Sequence, residues 1–464
     1  MVMALRSRSA AGAGPRAQDM TSGVIWRQLV AFSLPVLASM LLQQLYSMVD
    51  GLVVGNFVSS EALGAVTGAS PVVFALIALF IGLSMGASVV IAQDFGAHDE
   101  DGVRRSVHTA TLSMGLLSLA GAAAGVASSP WMPGVLNMDP VLRADAATYL
   151  AVFSVGIPAL MLYDTGAGIL RAVGDSRRPL YVAAGSAVVN VVLDLAFVLL
   201  LGWGVAGAAW ATVISEAFSA AVVLALLART RECYRLTWRG LRVDAGKLRR
   251  IVSVGIPSGV EMALIALSNL FVQAYINAFG AEVTTGWGID FRIDGFVVVP
   301  MQALCMAVTT FAGQNYGAHD LARIYRGMVL CRRMCVGSVA VMALVCVAFA
   351  DQLAGMFTSD AQARAYGALF IRFLVPFDLL NALISVDQSV LQGMGDAKVP
   401  MLINVSTFVV LRQAYLAAAT ALGAPLLAIA FGYPLSWIFA SLLMHLYLRR
   451  CERGRAMYAA ARRA

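Results

Sequence analysis

Nine carboxylates stand inside long apolar stretches of this 464-residue chain: Asp50, Asp164, Asp194, Glu216, Glu261, Asp290, Asp294, Asp378 and Asp387. A carboxylate at the centre of a bilayer costs about 2.5–3.5 kcal/mol on insertion scales, so each needs a reason to be there. Three arginines share that setting, Arg292, Arg372 and Arg412, and all belong to the second half. The first-half acids Asp50, Asp164, Asp194 and Glu216 have no such cation in their own half. Binding a proton or a metal cation is the remaining way to neutralise them.

The elements that must carry these residues follow from composition. The chain is 60% hydrophobic and 13% charged, against about 45–50% and about 25% for a soluble domain. A soluble enzyme, a disordered scaffold and a lone nucleic-acid-binding module are excluded on those figures. At about 20 residues per span, the length suits roughly twelve membrane helices. Apolar runs place them near 30–57, 65–93, 108–129, 145–168, 179–201, 205–228, 251–279, 284–313, 334–350, 366–390, 399–421 and 425–448. The fold class is all-α integral membrane, with twelve transmembrane helices in two six-helix lobes. The expected units are an N-terminal tail over 1–27, a first lobe over 28–228 and a linker over 229–250. A second lobe over 251–448 and a C-terminal tail over 449–464 complete the chain.

Of 33 Lys and Arg residues, 28 fall in the tails and even-numbered connections, and two, Arg143 and Arg364, fall opposite. Such a bias marks the 28-residue side as cytoplasmic, so both termini are expected there. The first 27 residues lack the apolar core of a signal peptide. None of the six cysteines falls in an expected external connection, so a disulfide framework is not expected. Cys331 and Cys335 lack the further ligands of a zinc site.

Depth groups four of the polar residues. On this map Asp50 lies seven residues before the outer end of span 1 and Asp194 seven before that of span 5, while Thr212 lies seven after the outer start of span 6. At 1.5 Å per residue each is roughly 10 Å below the outer edge. Asn190 is one turn from Asp194 and shares its face. Two carboxylates, an amide and a hydroxyl near one level are hard oxygen ligands suited to sodium, or to a shared proton. Thr212 is the weakest member, since threonine often bonds its own helix carbonyls. Possible accessory acids are Glu216, one turn beyond Thr212, with Glu261, Asp290 and Asp294 in the second half. Asp164 and Asp387 fall near cytoplasmic helix ends and read as interfacial, and Asp378, Arg372 and Arg412 as structural ion pairs. Met40, Met48, Phe74, Tyr163, Met301 and Met306 suit either an adaptable cavity or ordinary packing.

The chain also repeats itself at a spacing of 221–222 residues. SMGASVVIAQDFGAHD (84–99) matches CMAVTTFAGQNYGAHD (305–320), LRAVGDSRRPL (170–180) matches LQGMGDAKVPM (391–401), and Pro35 matches Pro257. Six spans per repeat is even, so the halves enter from the same side and the repeat is parallel, as in transporters built from two rocking lobes. His98 and His319, in matched loops, suggest a shared loop shape.

These landmarks, with LPVLASMLLQQLYSMVDGLVVG (34–55), VVNVVLDLAFVLLLGWGVAGAAWATVISE (188–216) and GIPSG (255–259), resemble the multidrug and toxic compound extrusion (MATE) family from about residue 25 to 448. The resemblance implies a bacterial cytoplasmic-membrane antiporter, not an enzyme, that exports amphipathic, usually cationic, compounds in exchange for protons or sodium. In that family an Asp of helix 1, an Asn-x-x-x-Asp of helix 5 and a Thr of helix 6 form the cation site of one lobe. Asp50, Asn190, Asp194 and Thr212 match it, and would be the metal ligands if sodium is the coupling ion; Pro35 matches the family's helix-1 kink. Glu216 departs from the family pattern, where a Gln is expected, and Glu261 stands where this branch often has Gln. No cofactor beyond the coupling ion is expected. The expected partners are a small amphipathic substrate and membrane lipids, without nucleic acid, around a monomer. The rival is a flippase for lipid-linked saccharides or cell-wall precursors, whose anionic substrate would need cavity cations such as Arg292, Arg372 and Arg412.

Overall fold

The computed structural model describes residues 19–57, 60–136 and 138–463, with the side chains at 47, 49–72, 75 and 76 outside that description. Among the described residues, twelve helices are long and apolar enough to cross a membrane. They are α1 (Ile25–Phe57), α2 (Ser60–Gly96), α3 (Glu100–Ser128), α4 (Arg143–Ala172), α5 (Arg177–Leu200) and α6 (Gly204–Arg229) in the first half. The second half has α7 (Ala245–Asn277), α8 (Ala281–Gly317), α9 (Leu321–Ala348), α10 (Ala361–Gly393), α11 (Lys398–Ala421) and α12 (Leu426–Arg450). No strand occurs among the described residues. A further helix, Glu452–Arg463, occupies the C-terminal tail and stacks Tyr458 on Tyr325 of α9.

Several helices overrun the apolar runs at the arginine-rich end, and their starts are capped there. Asp99, Asp244 and Asp320 each accept a hydrogen bond from the backbone N–H three residues on, at 2.9, 3.0 and 2.9 Å. A carboxylate at that position satisfies an orphan donor and opposes the positive end of the helix. His98 and His319, just before two of these caps, adopt left-handed φ of 55° and 58°. The matched GAHD segments are therefore helix stop, left-handed residue and cap in turn, the shared shape that the repeat suggests.

Three spans are not regular throughout. α10 tightens to a 3-10 turn at Val375–Phe377, where Pro376 cannot donate to the helix ladder. α5 and α11 widen to π-helix at Leu195–Leu200 and Val405–Leu411, directly after the buried polar residues Asp194 and Asn404. α1 continues through Pro35.

The halves meet along small residues. Cβ atoms added at Gly82 and Gly86 of α2 would lie 2.3 and 2.4 Å from backbone atoms of Gly259 and Ile251 on α7. Gly255 and Gly259 return the same close approach to Leu83 and Leu79. Paired small-xxx-small faces let two helix backbones touch in lipid, where burial supplies little drive. The start of α1 also crosses over: Leu29, Phe32 and Val36 pack in one core with Ile293, Val297 and Phe311 of α8.

Candidate functional site

A cavity of about 830 Å³ lies between the halves. Its wall is built from α1, α2, α4, the start of α5 and α6 on one side and α7, α8 and α10 on the other. Among the described residues, its carboxylates are Asp164, Glu216 and Glu261, against one cation, Arg171. Five methionines, Met40, Met85, Met262, Met301 and Met306, supply adaptable apolar surface. Met40, Tyr163, Met301 and Met306 thus belong to the cavity, whereas Met48 and Phe74 are not among its lining residues.

One end is closed by a pseudo-symmetric set of contacts. Gln93 Nε2 donates to the Gly393 carbonyl at 2.8 Å, and Gln314 Nε2 donates to the Ala172 carbonyl at 2.9 Å. Both donor and acceptor in one bond are the repeat mates of those in the other. Beside them α2 and α8 cross in contact: a Cβ at Gly96 would lie 1.8 Å from the Gln314 carbonyl oxygen, and one at Gly317 1.9 Å from that of Gln93. Charged groups flank the crossing. Asp94 accepts Lys247 Nζ at 2.6 Å and Arg250 at 3.1 Å, and Arg250 also donates to Gln93 Oε1 at 2.8 Å. Gln314 Oε1 accepts from the Met20 backbone N–H at 2.8 Å, tying in the segment before α1. The side chains of Gln93 and Gln314 are buried amides with their hydrogen bonds made, which is what holding a closed backbone crossing requires.

The residues expected to hold a cation in the first half fall on adjoining helices. Asn190 and Asp194 are 2% and 0% exposed in α5. The Asn190 amide has no hydrogen-bond partner among the described residues. Thr212 on α6 donates to the Ala208 carbonyl at 3.2 Å, the local bond that threonine favours, leaving its oxygen able to accept another. α1 packs along α5 and its π-helical turn, but the Asp50 side chain lies outside the described residues. Glu216 lines the cavity with one buried oxygen unpartnered among the described residues. Asp164, expected near a cytoplasmic end, lines the same cavity, eight residues before α4 ends at Ala172.

The second-half acids divide. Glu261 is in the cavity wall, 5% exposed, and its Oε1 accepts from Gln388 at 2.8 Å and Asn404 at 2.7 Å. Asp290 and Asp294 do not join it. They cluster with Asp378 on α8 and α10, away from the cavity lining. The helix spacing that relates Asp290 to Asp294 could be read from sequence, but the pairing with Asp378 needed the fold. Asp387 meets Arg332 and His445, a structural ion pair. The membrane arginines are likewise sorted. Arg372 pairs with Asp351 at 2.6 Å, and Arg292 is exposed on the outer face of α8. Arg412 has no carboxylate partner among the described residues. It is 2% exposed, donates to Ser436 at 2.8 Å and Asn269 at 3.1 Å, and its guanidinium lies 4.0 Å from the Tyr433 ring centre. The expected ion pairing of Arg412 and Asp378 is therefore replaced by hydroxyl, amide and aromatic contacts for one and an acidic cluster for the other.

Comparison with known proteins agrees with this architecture. The family model MatE matches twice, at residues 35–196 and 257–417, once in each half. The chain is 28% identical over 438 residues to the probable multidrug resistance protein YpnP of Bacillus subtilis, covering 94% of this chain and 97% of that protein. It is 27% identical over 392 residues to the probable multidrug resistance protein NorM of Thermotoga maritima, covering 82% of each. Among solved structures, the outward-facing conformation of a multidrug resistance MATE family transporter superposes with a TM-score of 0.89 at 23% identity, over 97% of this chain and 99% of that one. With twelve spans in two repeats, a cavity between them and a family match in each half, this chain belongs to the MATE family of multi-pass membrane multidrug transporters.

Proposed function

We propose that the protein exports amphipathic cations through the central cavity in exchange for protons or sodium ions, and that Asp50, Asn190, Asp194 and Thr212 hold the coupling ion. One observation carries the substrate class. Among the described residues, the cavity wall bears Asp164, Glu216 and Glu261 against Arg171 alone, among five methionines. Such a wall favours an organic cation with adaptable apolar surroundings. It disfavours a pyrophosphate-linked lipid, since Arg292, Arg372 and Arg412 all lie outside the lining.

Two features support the ion site. Asp194 is fully buried and next to a π-helical turn, an irregularity that frequently marks function. The Asn190 amide, one turn away, keeps its capacity free among the described residues. Coupling requires that ion and cargo favour different arrangements of the halves, because a ligand with equal affinity for both shifts nothing. The seal of Gln93 and Gln314 belongs to one of those arrangements, and the cargo-free return would run through its opening and re-forming.

Efflux of a cationic dye from whole cells, with the proton and sodium gradients collapsed in turn, tests the reading. Export should fail when one gradient is removed, and competition should follow positive charge. Export of an anionic lipid-linked saccharide with no response to organic cations would overturn it.

A further inference from the structure

The connection between the halves, residues 230–244, is not a free strap. It is fastened to the start of α3. His108 is 2% exposed; its Nδ1 donates to the Arg104 carbonyl at 2.7 Å and its Nε2 accepts the Thr237 backbone N–H at 3.1 Å. The Asp244 backbone N–H donates to Thr109 Oγ1 at 3.0 Å, and a Cβ on Gly240 would lie 2.8 Å from His108 Nε2. The docked connection and α3 enclose a recess of about 300 Å³, lined by Arg104, Arg105, His108, Arg239, Arg242 and Asp244.

Four arginines thus line one small recess with a single carboxylate in its wall, and Arg104 also lies 3.7 Å from Asp101 beside it. Asp244 is largely committed: it caps α7 by accepting the Lys247 N–H at 3.0 Å and lies 3.6 Å from Arg105. Arg239 and Arg242 have no ion-pair partner among the described residues. A cytoplasmic excess of arginine is expected of any such protein. That excess explains the number of arginines, but not why a hydrogen-bonded connection gathers four of them around a concavity, where like charges repel. Planar guanidinium groups around a recess are suited to the oxygens of a phosphate. Next in sequence to the lining residues Arg239 and Arg242, Trp238 and Val243 are 74% and 44% exposed. A tryptophan there is the usual mark of the headgroup layer.

We propose that this recess is a binding site for a phosphate group, supplied by the headgroup of an anionic phospholipid, with Trp238 inserted beside the acyl chains. The site fastens the connection between the halves to the membrane surface, at a distance from the transport cavity. Basic pockets on the cytoplasmic face of membrane proteins hold such headgroups in the same way.

The test uses the full-length protein in detergent, with short-chain phosphatidylglycerol, short-chain phosphatidylcholine and inorganic phosphate as separate probes. Thermal unfolding and native mass spectrometry read out binding. Phosphatidylglycerol should protect the protein and remain bound, and phosphatidylcholine should not. The double variant R239Q/R242Q should weaken phosphatidylglycerol binding roughly thirty-fold, about five-fold per arginine. R104Q/R105Q, on α3, should weaken it likewise. R462Q/R463Q removes equal charge from the C-terminal helix and should leave binding unchanged. Equal loss in that control, or full binding by both recess variants, would overturn the site. Protection by inorganic phosphate equal to that by phosphatidylglycerol would overturn the lipid assignment.

Discussion

Replacing Gly96 with alanine should unlock the arginine-rich end of the cavity. The added methyl would lie 1.8 Å from the Gln314 carbonyl oxygen, where ordinary heavy-atom contact is about 3.5–4.0 Å. The obstacle is backbone, so no side-chain rotation relieves it and α2 must part from α8. Parting breaks the Gln93–Gly393 and Gln314–Ala172 hydrogen bonds, each worth about 0.5–1.5 kcal/mol net. Losing both removes roughly 1–3 kcal/mol from the sealed arrangement, a shift of about 5–150-fold in population. Cys305 lines the cavity and is a native reporter. Cys233 and Cys451, the two half-buried cysteines, would first be changed to serine. A membrane-impermeant maleimide added to the arginine-rich face should then label Cys305 roughly ten-fold or more faster in G96A than in the parent. An unchanged rate in folded G96A protein would refute the assignment of this crossing as the seal.

The remaining predictions concern charge. E216Q and D164N should each weaken equilibrium binding of a monocationic dye several-fold while leaving a neutral analogue unaffected, read by fluorescence titration. R412M should lower the thermal unfolding temperature by several degrees yet leave the profile of exported compounds intact, because Arg412 holds Asn269, Ser436 and Tyr433 together outside the cavity; a changed profile at normal stability would contradict this. Single cysteines placed in 130–136 should be labelled by impermeant reagent from outside the cell and native Cys233 only from inside; the reverse would overturn the orientation.

The spans and the repeat were legible in sequence because membrane insertion writes them in the two strongest signals available, apolar length and arginine placement. Helix ends were less legible. α9 begins at Leu321 and not near 334, because Arg323, Arg326, Arg332 and Arg333 wind within the helix after it leaves the apolar layer. Hydropathy measures the layer, and helices continue until a cap such as Asp320. The π-helical turns and the break at Pro376 depend on packing across the bundle and have at best a local proline as a cue. Depth counting brought Asn190, Asp194 and Thr212 to one level but gave no sign that Asp164 lines the cavity, and it grouped Glu261 with Asp290 and Asp294. Which face of a helix looks into the cavity is set by neighbours distant in sequence. The amide partners of Glu261, Gln388 and Asn404, lie on α10 and α11, more than a hundred residues away. The repeated Gln93 and Gln314 were visible as matched letters; their roles across the seam were not, since each bonds the opposite half.

The central claim is that the first-half carboxylates couple ion to cargo. It is tested most directly by equilibrium binding of a cationic dye to purified parent and D194N protein, across pH and across sodium concentration. Removing a carboxylate from the membrane interior eases a desolvation cost, so D194N should express and insert near normally. The parent's affinity should respond to one of the two ions. D194N should still bind the dye with an affinity that no longer responds to that ion. A D194N protein whose dye affinity tracks pH and sodium like the parent's would contradict the account and move the coupling site elsewhere, to Glu261 or to the cluster of Asp290, Asp294 and Asp378.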